Sequence, residues 1–173
     1  LWPSKGRHIM AQHSDESVVV YQAYRQEIAR WAVEHQRFGG PWSFGRMSWI
    51  KPNFLWMMFR CGWATKEGQE RVLAIELSRQ AFDQLLEQAV HSSFVPEVYR
   101  DRETWSKAVK SSDVRLQWDP DHGPGGEKLE RRAIQLGLRA KTLASFATDW
   151  IQSIDDITDF VSEQRTTLGR DGT

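Results

Sequence analysis

The stretch DVRLQWDPDHGPGGEKLERRAIQLGLR, Asp113 to Arg139, decides the fold class. Its first part sets Val114, Leu116 and Trp118 on one side of a strand and Arg115, Gln117 and Asp119 on the other, because side chains alternate across a strand. Its last part, Arg131 to Arg139, alternates Ile134 and Leu136 against Ala133, Gln135 and Gly137. Two strands therefore follow one another, joined by the loop PDHGPGGEK. That connection is about ten residues, longer than the usual hairpin, and loops of that kind tend to carry function or motion. Upstream, strands and helices alternate. An order of βαβαβα followed by ββα predicts one α+β domain, a mixed β-sheet with flanking helices, and not a purely parallel sheet.

Working outward, SVVVYQ (Ser17–Gln22) is a β-branched strand. RQEIARWAVEH places Ile28, Trp31 and Ala32 at helical spacing. FGGPWSFG breaks the chain, and RMSWIK alternates as a strand. NFLWMMFRC is apolar nearly all round, the mark of a buried helix, with Pro52 before it and Gly62 as its stop. ERVLAIEL is a strand, and Ser78 can cap the next helix, whose Phe82, Leu85, Leu86 and Ala89 share a face. A short helix is expected around Trp105, and AKTLASFATDWIQ and DDITDFVSEQ read as closing helices. The whole chain, 1–173, is read as a single domain, with an ordered core over about 17–163 and flexible ends. The absence of an initial Met and the loop-like LGRDGT at the end suggest cut edges.

The 173 residues and 20.1 kDa suffice for one sizeable core. Hydrophobic residues at 40% and charged residues at 27% exclude a disordered chain. Zero formal net charge argues against a generally basic nucleic-acid coat, while leaving room for a local basic patch. No apolar run is long enough to span a bilayer, and LWPSKGRHIMAQH lacks a signal peptide's apolar core. One cysteine, Cys61, rules out an intrachain disulfide framework and a multi-cysteine zinc site. The expected address is cytoplasmic or nuclear. Oligomeric state is not legible.

The richest chemistry lies in RMSWIKPNFLWMMFRCGWATK, Arg46 to Lys66. Leu55, Met57, Met58 and Phe59 are ordinary core material. Cations are not, because a buried charge is costly unless paired, although long stems can carry the charge to water. Trp49 and Lys51 fall on the same side of a strand, an aromatic plane beside a cation, which is how a base and its phosphate are held. Lys51 also precedes a helix start, where an anion meets free backbone amides. Arg60 follows Trp56 by four residues and shares its helix face. Tyr21, Tyr24 and Arg25 close the first strand, with Tyr21 available to stack and Arg25 to pair with an anion. Arg115, Gln117 and Asp119 face either a cleft or water, and Gln117 and Gln135 on paired strands can line one cleft. Gln135 stands between the small residues Ala133 and Gly137's side of its strand, where a neighbour can approach closely. The candidate ligand-binding set is Tyr21, Arg25, Trp49, Lys51, Trp56, Arg60, Gln117 and Asp119, with Arg46 and Gln135 as the candidate catalytic pair.

The histidines show no metal spacing, and DPDHG reads as a polar turn, so no metal site is expected. Cys61, in an apolar helix, is expected to be inert. No nucleophile elbow, P-loop, dinucleotide fingerprint or HExxH motif is present.

The segments VVYQAYR, RMSWIKPNFLWMMFRCGWATKEGQE, VLAIEL, VRLQWDP and IQLGL together resemble the domain-of-unknown-function 4291 family, over roughly Val18 to Thr158. That resemblance implies one domain of this size and supplies no catalytic residues. At the level of fold, the pattern is also similar to ADP-ribosyltransferase-like domains, which bind NAD in a cleft between sheets. This similarity implies that Arg25 or Arg46, Trp49 or Tyr21, and Gln135 take the roles of early cation, stacking aromatic and late-strand polar residue. The chain departs from that pattern in lacking a late-strand Glu, and a neutral amide cannot stabilise an oxocarbenium ion as an anion would. Three functional readings result. One is a nucleotide-binding enzyme, a transferase with NAD as candidate cofactor. The second is a non-catalytic module for RNA or single-stranded nucleic acid, and the third is a protein-interaction domain.

Overall fold

The computed structural model describes residues 2–169. Their order is β1 (Gly6–Arg7), β2 (Ser17–Tyr24), α1 (Gln26–His35), β3 (Ser48–Ile50), α2 (Phe54–Cys61), β4 (Arg71–Ser78), α3 (Arg79–Gln88) and β5 (Val90–His91). There follow α4 (Arg102–Ser111), β6 (Val114–His122), β7 (Lys128–Leu138), α5 (Ala140–Thr148), β8 (Ile151–Asp156) and α6 (Thr158–Thr167). The fold is α+β. The expectation for the segment closing on LGRDGT falls in part outside the described residues.

β6 and β7 do form the antiparallel pair that the alternation requires, with Gln117 opposite Gln135 and Leu116 opposite Leu136. β5 pairs with β6, while β1 and β3 both pair with β7, giving the order β1-β7-β6-β5 with β3 beside β7. A second, antiparallel sheet runs β2-β4-β8. The two are stitched at one place. Tyr21 N–H donates to the Lys51 carbonyl at 2.7 Å, and Lys51 N–H donates back to the Tyr21 carbonyl at 3.4 Å. Ile50 belongs to one sheet and Lys51 leans on the other, so the sheets part at this seam.

The apolar sets meet between the sheets. Val18, Val20, Leu73, Ile75, Leu77 and Ile154 from one sheet pack in a single core with Ile50, Val114, Ile134, Leu136 and Leu138 from the other. A smaller cluster lies on the outer face of β2 and β4, where Tyr21 and Val72 meet Met57, Met58 and Cys61 of α2 and Val161 of α6. Hence α2 is apolar nearly all round. Asn53 caps its start, accepting from Trp56 N–H at 2.9 Å, and Gly62 ends it with φ 59°, a left-handed conformation in which a Cβ is strained. Ser78 caps α3 as expected, accepting from Ala81 N–H.

Three expectations need correction. The connection between β6 and β7 is no long loop: β6 runs on to His122 and β7 begins at Lys128, so the turn is Gly123 to Glu127. DPDHG is no polar turn either. Asp121 is fully buried and His122 is 3% exposed. Asp121 binds Arg131 at 2.6 Å, which explains how two charges tolerate burial there. Finally, the closing helix begun at Ala140 stops at Thr148, and IQSIDD is the edge strand β8, which buries only Ile154. Gln36 fixes that strand, its amide accepting from Ile154 N–H and donating to Ile154 C=O, both at 2.9 Å. The segment before Ser17 is tied down too: β1 lies parallel to β7, and the Pro3 carbonyl accepts from Arg131. No helix among the described residues is long and apolar enough to cross a membrane.

Candidate functional site

A cleft of about 610 Å³ opens where the sheets part, between the end of β2, the segment leading into β3, and α2. That volume is in the range of small-molecule sites. Arg25, Arg46, Trp49, Lys51 and Arg60 all line it, five of the ten residues singled out from the sequence. The spacing explains their convergence. Trp49 and Lys51 point the same way from one extended segment, and Met57 and Arg60 lie three apart on the cleft-facing side of α2. The loop Glu67–Gln69 completes the far wall.

The charge balance is uneven. Arg25 sits 3.5 Å from Glu27 in an exposed ion pair. The side chains of Arg46, Lys51 and Arg60 make no hydrogen bond or ion pair among the described residues. Glu67 is the one carboxylate in the cleft wall among the described residues. Lys51 is only 6% exposed. Burial, and then the Arg60 charge, pull its ammonium down from its ordinary value near 10.5 to about 8, with Asp119 and Cys61 acting weakly in the opposite sense. Helix-terminus amides contribute less than the sequence implied, because the Asn53 cap already takes one of them.

The floor is polar and ordered. Gln22 donates to Ser48 Oγ at 2.7 Å and to the Trp49 carbonyl at 3.0 Å. Tyr24 donates to Gln22 Oε1 at 3.0 Å and accepts from Trp42 Nε1 at 3.0 Å. Burial raises the Tyr24 phenol, opposed by its bonds to Ser48 and Trp42 and by the Arg46 charge. It therefore stays a neutral donor. Gln22, Trp42 and Ser48 were absent from the candidate set. The readable signal was Gln22, a lone amide in the β-branched run SVVVYQ, since a polar group buried in a strand needs a partner.

Trp49 lies against Gly137, the residue paired with it across β3 and β7. A Cβ at Gly137 would fall 2.9 Å from the indole ring and 2.7 Å from Met47 Sδ. Gly137→Ala is expected to push Trp49 into the cleft and cost about 1–2 kcal/mol of stability, the penalty of overpacking. Denaturant unfolding with indole fluorescence checks this. Unchanged stability together with an unchanged emission maximum would show that the contact is slack.

Five expected residues lie off this wall. Tyr21 faces the outer side of β2, edge-on to Phe54 with ring centroids 5.4 Å apart. Trp56, one position before Met57, points about 100° around the helix and packs near His122. Gln117 and Gln135 do converge, but on each other's neighbour: both donate at 2.8 Å to Asp119, one to each carboxylate oxygen. This trio lies on the sheet face that carries Trp49 and Gly137, and Asp119 acts on the Lys51 charge from there. Gln135 thus holds a carboxylate in place, and its amide is already engaged.

Beneath α2, His122 stacks on Phe59 with centroids 3.6 Å apart, and both ring nitrogens and Trp56 Nε1 are buried without a hydrogen-bond partner among the described residues. Burial lowers the His122 pKa and keeps the ring neutral. Cys61 is buried and its thiol raised by burial, which makes it a poor nucleophile. No three His, Cys, Asp or Glu side chains among the described residues come together as a metal set.

No curated protein matches the chain. The family described as Domain of unknown function (DUF4291) matches residues 8–173, nearly the full length, and the chain belongs to that family.

Proposed function

We propose that the cleft binds a nucleotide-like ligand, an aromatic ring joined to phosphate, and that the protein is an enzyme acting on it. One observation carries this reading: three cations without partners among the described residues, Arg46, Lys51 and Arg60, converge beside the half-buried indole of Trp49. Lys51 is buried, so its unpaired charge is costly in the empty protein, whereas Arg46 and Arg60 stand exposed at the rim where an entering anion can reach them. The Trp49 face supplies the stacking plane, and the Gln22–Tyr24–Ser48 network offers directional groups to a ring edge or a ribose. A discrete concave site supports a small ligand over a strand of RNA.

NAD is the candidate substrate. The cleft lies where two sheets part, as in the ADP-ribosyltransferase-like similarity, and transfer at an anomeric carbon would need a carboxylate. In this reading Arg46 holds a phosphate at the mouth, and Asp119, positioned by Gln117 and Gln135 off the cleft wall, acts on the site through its charge on Lys51.

The test is a calorimetric titration with NAD, ADP-ribose, ATP and a short single-stranded RNA, repeated on Arg46→Gln and Arg60→Gln. Each variant is expected to lose roughly 10- to 100-fold in affinity, one charge-assisted contact, with an unchanged melting temperature. Binding of RNA with none of the three small nucleotide ligands would replace this reading by the binding-module one. Equal affinity in both variants would remove the cleft from consideration.

A further inference from the structure

We propose that Lys51 is a nucleophilic amine that forms a reversible imine with the carbonyl group of an anionic ligand seated in the cleft. This rests on the reading that the cleft accepts a phosphorylated ligand, and adds what the ligand does there. The chain has seven lysines, and the other six, at positions 5, 66, 107, 110, 128 and 141, are exposed. Lys51 alone is buried, at 6% exposure, yet it lines an open cleft and its Nζ has no acceptor among the described residues. A lysine kept only for charge gains from a carboxylate partner or from water. Here the largest charge acting on it is another cation, Arg60 on α2, with Asp119 on β6 and the Cys61 thiol as the smaller opposing influences. Desolvation beside a second cation is how a lysine is made reactive near neutral pH. The lowered proton affinity, to about 8, agrees with that surrounding and leaves a useful fraction of free amine at physiological pH.

The step balances without a cofactor. The Nζ lone pair attacks the carbonyl carbon and forms the C–N bond. The carbonyl π pair moves to oxygen, which takes a proton from the attacking nitrogen and gives a carbinolamine. That hydroxyl leaves as water with the second amine proton, and the C=N bond forms. Arg46 and Arg60 hold the ligand's anionic group meanwhile. The ligand class is a phosphate-bearing aldehyde or ketone, including a phosphorylated sugar whose ring opens.

The probe is pyridoxal 5′-phosphate, used only as an anionic aldehyde, with borohydride to fix the imine and peptide mass spectrometry to locate it. Lys51 should be modified at least 10-fold faster than any exposed lysine at pH 7.5. The rate should climb as pH passes about 8, where the amine loses its proton. Pyridoxine 5′-phosphate, which has the phosphate and no carbonyl, should slow the modification, and Arg60→Gln should slow it through lost anchoring. Lys51→Met is the control for peptide assignment. If pyridoxine 5′-phosphate quenches tryptophan fluorescence but borohydride fixes nothing on Lys51, the amine is only a charge and the inference is overturned while the anion site stands. If pyridoxine 5′-phosphate neither binds nor protects, and labelling scatters over exposed lysines, both the inference and the cleft reading fail.

Discussion

Asp121→Ala is expected to lower the unfolding free energy by about 3–5 kcal/mol, the cost of stranding a buried charge. Asp121 is fully buried, and its Oδ2 takes the Arg131 Nε–H at 2.6 Å while Oδ1 accepts from His122 N–H at 2.7 Å. Arg131 is itself 6% exposed. Its Nη1 donates to the Pro3 carbonyl at 2.6 Å, and its guanidinium lies 5.5 Å from the Trp2 ring centroid. Removing the carboxylate therefore leaves a guanidinium with a backbone carbonyl and an indole, and no anion. The double variant Asp121→Leu/Arg131→Met should recover most of the loss, because apolar residues of similar volume need no partner. Urea unfolding of the three variants checks both statements. A loss below about 1 kcal/mol in the single variant would show that water reaches Arg131 and that the pair is a surface contact in energetic terms.

Lys51→Met is expected to do the reverse: stabilise the fold by roughly 2–3 kcal/mol at pH 7 while abolishing ligand binding. The drop of the ammonium from near 10.5 to about 8 means that the folded state pays to keep it charged. At pH 7 both folded and unfolded chains hold the proton, and the full penalty is present. Between about pH 8 and 10.5 the unfolded chain binds more protons than the folded one, so wild-type stability rises with pH across that window. Methionine has no such dependence. The stability gap should therefore be widest at pH 7 and close by about pH 10. Thermal unfolding at several pH values measures it. A variant less stable than wild type at pH 7 would mean that Lys51 is held by favourable contacts, and the site would lose its main support.

The parts of the fold that were readable from sequence are those where one local rule decides. Strict alternation in VRLQW and AIQLG named the β6–β7 pair, and Ser78 and Gly62 marked helix ends, while the Asn53 cap emerged only in the structure. β8 was hidden because an edge strand need bury only one residue, and IQSIDD offers four polar side chains around Ile154. Asp121 and His122 looked like turn residues because their burial depends on Arg131, ten residues away, and on α2 from another part of the chain. In the cleft wall, the shared side of Trp49 and Lys51 was legible from strand alternation, whereas Arg60 had been paired by spacing with Trp56, which lies off the wall. The side that Tyr21 and Trp56 face was not, since both lie on elements apolar on two faces, where periodicity does not say which face meets which layer.

The seam at Tyr21 and Lys51 sets how freely the walls of the cleft can change over time. Between Ser48 and Asn53 the backbone is committed on both sides: to β7, to β2, and to the cap of α2. Adding or removing one residue there would turn Lys51 into the core and Ile50 into the cleft. The opposite walls, from Ser43 to Met47 and from Glu67 to Gln69, lie outside the strands and helices and carry no such constraint. Insertions there alter what the cleft admits without moving the amine. Diversification of ligand preference in chains built this way would proceed by rewriting the rim loops while the lysine stays in place.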